Sequence, residues 1–221
     1  MTKKINLFFL LLLIVGFAAN SSAMQIDFRL PEFHSADGQH SKYFSDYGLT
    51  VAAAPCGSTL YHDTDDGFGV RYFYEDDEIE GIHERLHLSF DSEVRLAGFL
   101  ITDLFYEPFN DDSGYFSEIG YYSFNNISWT MFEADINQLP DPASNGELYI
   151  SFASQQTITD IWFKSLGWQN CYLEDHEFSV AKIEVNPVPE PATMLLLGSG
   201  LMGLAGIGRR KIAGKKRQTI V

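Results

Sequence analysis

Short runs alternating apolar and polar at period two recur along the middle of this chain, and they restrict its fold more than any other feature. They cover residues 48–54, 68–74, 84–90, 147–153 and 157–163. Alternate side chains reach opposite environments only in a half-buried strand. Asp-Gly, Ser-Gly and Asn-Gly pairs punctuate the sequence as strand turns require, and no window of a dozen residues carries a helical stripe. A last run, 178–185, changes phase between Val180 and Ile183, which predicts a bulge. The pattern predicts an all-β domain of about ten strands over residues 24–186, an antiparallel two-sheet sandwich of jelly-roll type.

The two ends read differently. Lys3 and Lys4 precede an apolar run over 5–18, and Ser21-Ser22-Ala23 supplies small residues for cleavage. These are the parts of a secretory signal peptide, expected over 1–23 and removed by signal peptidase after Ala23. The apolar run would span about 21 Å as a helix, against about 30 Å of bilayer core. At the other end, Val188-Pro189-Glu190-Pro191 leads into an uncharged stretch from Ala192 to Gly208. That stretch reaches the lower length limit of about 17 residues for a transmembrane helix. Arg209, Arg210 and Lys211 follow, and the basic tail 214–221 holds Lys215, Lys216 and Arg217. Positive flanks stay in the cytoplasm, so the body between the two ends is expected on the far side of the membrane.

A Val-Pro-Glu-Pro motif, a short Gly-rich apolar segment and an Arg-rich end resemble the PEP-CTERM sorting signal of Gram-negative bacteria, here over 187–213 with its helix at 192–208. The same signal is also known as the ice-binding protein C-terminal domain, a label that implies no binding of ice. The resemblance implies that Pro189, Glu190 and Pro191 are read by an exosortase, a membrane cysteine transpeptidase, while Arg209, Arg210 and Lys211 set orientation. It further implies an inner-membrane precursor whose body is transferred to the cell envelope or the extracellular matrix.

Residues 24–188 hold seven Lys and Arg against 29 Asp and Glu, a balance of −22. Such a field favours solubility and divalent cations and argues against a nucleic-acid partner, which needs a positive footprint. In an oxidising compartment Cys56 and Cys171 are expected to form a disulfide, worth about 4–5 kcal/mol in the chain-entropy model.

Three sets of residues could carry chemistry. His83-Glu84-Arg85-Leu86-His87 is a literal H-E-x-x-H, which on a helix would bind zinc through His83 and His87 with Glu84 as general base. Leu86, Leu88 and Phe90 alternate, however, and predict a strand, where residues four apart are separated by about 13 Å. The acidic stretch containing Asp77, Glu78, Glu80 and Glu84 is a candidate for calcium, although Asp63-Thr64-Asp65-Asp66-Gly67 lacks EF-hand spacing and a solvated loop is the plainer reading. Tyr115, Phe116, Tyr121, Tyr122, Phe124 and Trp129 are candidates for a sugar platform, with core packing as the simpler use.

Residues 59–63, 66–70, 78–80 and 84–90 also resemble the bodies of a group of exported PEP-CTERM proteins that has no assigned activity. In that group the strand at 84–90 usually lacks both histidines. The expected function is therefore a non-catalytic envelope or matrix protein, adhesive or carbohydrate-binding, with no cofactor unless calcium occupies the acidic loops. The alternative is an envelope hydrolase, either a zinc protease through 83–87 or a glycosidase.

Overall fold

A computed structural model describes residues 23–72, 78–80, 83–108, 115–136, 146–166, 176–188 and 198–202. Its strands are β1 (Met24–Asp27), β2 (Ser41–Phe44), β3 (Leu49–Ala54), β4 (Thr59–Asp63), β5 (Gly67–Arg71), β6 (Arg85–Thr102), β7 (Tyr106–Pro108), β8 (Tyr115–Ser117), β9 (Ile119–Ser123), β10 (Thr130–Glu133), β11 (Leu148–Ser165) and β12 (Ser179–Pro187). A short 3₁₀ helix, Pro31–Ala36, follows β1. Alternation in sequence becomes alternation in burial. In β3, Leu49, Val51 and Ala53 are buried and their neighbours are half-exposed.

Ten strands join in one antiparallel sheet, and β7 and β8 form a separate ribbon. The order is β10-β9-β11-β6-β12-β5-β4, with β1 beside β12 and β3, then β2, beside β6. The frame is the pair β6 and β11, each 18 residues long. Along one edge, β6 offers Arg85–Phe90 to β3 and Val94–Thr102 to β12. Between those halves lie Asp91, Ser92 and Glu93, all exposed. The pairing with β11 slips at the same point, between Ile158 and Asp160, and again between Ser151 and Gln156. Bulges bend and twist a strand, so two long strands can turn a corner and serve both halves of a curled sheet.

The all-β expectation holds, and the ten strands form one continuous antiparallel sheet, because two long bulged strands belong to both of its halves and no break in hydrogen bonding separates them. The bulge expected near Val180 is present, because β12 slips against β6 between Val180 and Lys182.

Two aromatic clusters fill the interior. Phe28, Phe33 and Phe68 meet with Phe44, and ring centroids fall 4.7–6.5 Å apart. Phe99 centres the second cluster, against Phe163, Tyr122, Phe152 and Phe132.

Residues up to Pro187 form one compact unit and those from Val188 a second. In the second, residues 198–202 are helical. Among the described residues no helix is long and apolar enough to cross a membrane. Most of the expected segment 192–208, and all but Ala23 of the expected signal peptide, lie outside the described residues.

Candidate functional site

Opposite the core, β6, β9 and β11 build an outer face that gathers polar and aromatic side chains. Arg85, His87 and Ser89 alternate with buried Leu86, Leu88 and Phe90 on β6. Asp160, Trp162 and Lys164 alternate with buried Ile161, Phe163 and Ser165 on β11. Register places Trp162 between His87 and Ser123, and Lys164 beside Tyr121.

His87 lies flat on the Trp162 indole, with centroids 3.5 Å apart and planes within 5°. Its Nε2 is 2.8 Å from an Asp160 carboxylate oxygen. Burial holds the His87 pKa below the ordinary value of 6.5, against the opposing pull of Asp160. The ring is therefore neutral at pH 7, and Nε2–H donates to Asp160.

The loop between β9 and β10 completes the face. Asn125 Oδ1 accepts from the backbone N–H groups of Ile127 and Ser128, an Asx turn that stiffens the loop. Asn126 adopts φ 56° and accepts from Arg85 Nη1 at 3.0 Å. Trp129 then stands over both cations, 4.5 Å from Lys164 Nζ and 5.7 Å from Arg85 Cζ. Lys164 Nζ is also 5.3 Å from the Tyr121 ring, so its ammonium is close to two aromatic rings.

The sequence candidates divide. His83 is exposed in a turn just before β6, Glu84 is buried and accepts from the Glu80 backbone N–H at 2.8 Å, and His87 is on the strand. The H-E-x-x-H string is therefore not one helix face. Among the described residues no three His, Cys, Asp or Glu side chains are placed to hold a metal ion. Of the calcium candidates, Glu78, Glu80 and Glu84 are described and Asp77 lies outside the described residues. Cys56 is exposed in the turn after β3, and Cys171 lies outside the described residues.

Among the aromatic candidates, Tyr122 and Phe124 pack inward against Phe152, and Phe116 meets His176. Only Tyr121 and Trp129 join the outer face, and the Tyr115 side chain is outside the described set. Trp162 and His87 were missed as platform residues. Their shared strand parity with Lys164 and Arg85 was the available signal. Pro189, Glu190, Pro191, Arg209, Arg210 and Lys211 all lie outside the described residues.

A second polar cluster was also missed. Asp103, in the left-handed region at φ 54°, shares a hydrogen bond with Asp66. Burial first, then the charge of Asp66, pushes the Asp103 carboxyl from 3.8 up to about 8. The folded protein thus keeps a proton that the unfolded chain releases near pH 4. Between those values the native state binds more protons, so stability falls as pH rises and the penalty is complete above about pH 8. Asp103→Asn removes the charge and suits the same backbone region. It should flatten the decline in unfolding free energy between pH 5 and 8 and stabilise the protein at pH 8 by on the order of 1–2 kcal/mol after solvent screening. Urea denaturation across that range checks it, and an unchanged slope would show that Asp103 titrates normally.

Residues 187–211 match a family model described as the PEP-CTERM protein-sorting motif. The chain carries a PEP-CTERM sorting domain. No curated protein matches the sequence. Among solved structures, an exo-β-1,3-galactanase from Phanerochaete chrysosporium with galactose aligns at a TM-score of 0.34 and 9% identity, over 74% of this chain and 29% of that one. A rhamnosidase from Klebsiella oxytoca with rhamnose bound aligns at 0.31 and 14%, over 74% and 32%. The PEP-CTERM chain spans about a third of the length of these two structures, and the likeness is too slight to bear on activity.

Proposed function

We propose that this PEP-CTERM protein is an exported, non-catalytic component of the cell envelope or extracellular matrix, processed by an exosortase and holding carbohydrate on its outer sheet face. Signal peptidase removes 1–23, the apolar segment 192–208 anchors the precursor in the inner membrane, and exosortase acts at Pro189-Glu190-Pro191. The body is a sandwich of jelly-roll type folded from one continuous curled sheet. The observation that carries the export half is the match of residues 187–211 to the sorting motif. The binding half is supported by the outer face, where Trp162, Trp129 and Tyr121 stand beside polar groups as sugar sites require. Non-catalytic is the simpler reading of H-E-x-x-H, whose second histidine is engaged by Trp162 and Asp160.

Glu190→Ala should abolish processing. In the native host, the variant is expected in the membrane fraction at the mass of the chain from Met24 to Val221, while the unaltered protein loses its tail and leaves that fraction. Normal processing of the variant would reject Glu190 as the recognised residue.

A further inference from the structure

Arg85 and Lys164 break the pattern of charge in this protein. Acids outnumber bases by about four to one in the body, so a cation on its surface has many carboxylates to pair with. Arg29 and Lys182 do so, both reaching Asp27. Arg85 and Lys164 are paired with no carboxylate among the described residues; their partners are Asn126, Trp129 and Tyr121. They are also near each other, since both stand over the Trp129 ring, and burial first and then the charge of Arg85 lowers the Lys164 pKa. In addition, Arg85 Nε is buried without a hydrogen-bond partner. Two like charges held together and one donor unsatisfied both cost stability. Departures of this kind from local rules are expected at functional sites.

We propose that this face binds an acidic polysaccharide, a uronate chain whose carboxylate is held between Arg85 and Lys164 while its sugar rings lie along Trp129, Tyr121 and Trp162. The proposal rests on the carbohydrate-binding reading above and names its ligand class. An anion entering between the two cations relieves their repulsion and accepts charge-assisted hydrogen bonds. The sugar's C–H faces suit aromatic surfaces, which a small inorganic anion would not use. His87 is neutral at pH 7 and is a positioning residue: locked by Asp160, it sets the plane of Trp162. The balance of −22 over residues 24–188 opposes a polyanion at long range, but screening limits that field to about 8 Å at physiological ionic strength, and the cation pair acts at contact.

The test uses the full chain, purified in detergent, and an oligogalacturonate compared with the same oligomer after full methyl esterification. Titration calorimetry is expected to show binding of the acid form, at least tenfold weaker binding of the ester, and about tenfold loss for Arg85→Gln and for Lys164→Gln. Denaturation midpoints of both variants should stay within a few degrees, separating lost binding from lost folding. Should Arg85→Gln unfold the loop, Lys164→Gln alone decides. Equal binding of acid and ester would overturn the anionic inference and leave the carbohydrate reading standing. Binding of neither form would overturn both. Equally tight binding of polyglutamate would overturn the sugar and make an acidic peptide the partner.

Discussion

Phe99→Ala is expected to destabilise the folded body by about 3–5 kcal/mol, the cost of emptying a large aromatic site. Phe99 has no exposed surface. It projects from the second half of β6, beyond the exposed stretch Asp91–Glu93, into a ring of other aromatics: Phe163 at 5.1 Å, Tyr122 at 5.2 Å, Phe152 at 6.0 Å and Phe132 at 6.4 Å. Those partners come from β11, β9 and β10, so this side chain joins the long frame strands to the sheet's far edge. Several edge-to-face pairs would be lost together, each worth about 0.5–1.5 kcal/mol beyond area burial. For a domain of this size the loss corresponds to a fall in Tm of roughly 6–20 °C. Phe99→Leu should cost much less, because it keeps most of the volume. Guanidinium denaturation of both variants measures the difference. A loss below about 1 kcal/mol for the alanine variant would mean that the far edge packs without this ring.

Much of the architecture was legible because period-two alternation is a local signal. The strand start at Arg85 could be read from Leu86, Leu88 and Phe90, and the bulge in β12 from the phase change after Val180. Unity of the long strands was not legible. Residues 147–153 and 157–163 read as two strands, yet they are one, because the slip between Ser151 and Gln156 breaks the alternation without breaking the strand. Sequence pattern cannot distinguish a bulge from a turn when no Gly or Pro decides between them. The candidate site shows the same limit. Tyr121 and Tyr122 are adjacent and equal in chemistry, but pairing with Lys164 turns one outward while pairing with Phe163 packs the other, partly buried, against the core. His87 meets Trp162, and Asp103 meets Asp66, only through long-range pairing of strands and loops that no local motif encodes.

Gly67→Ala should be strongly damaging, because conformation and space fail together. Gly67 opens β5 at φ +104°, a region that side chains with a Cβ rarely enter, at a cost of about 1–3 kcal/mol. An added Cβ would lie 2.7 Å from Ala181 Cα and would also strike the Val180 carbonyl. Both are backbone atoms of β12, held there by the pairing of Val180 with Phe68 and with Ile101. Neither can swing aside as a flexible side chain would, so the strands must part. The displacement would reach Asp66 next in the chain, and through it the hydrogen bond to Asp103. A total loss of at least about 3 kcal/mol is expected. Gly38 provides the control: its φ is +71°, but nothing lies within 4 Å of the position that an added methyl would take. Gly38→Ala should therefore lose only the conformational part, about 1–2 kcal/mol. Chemical denaturation of the pair isolates the steric term. Equal losses in the two variants would mean that β5 and β12 do not approach as closely as their register requires.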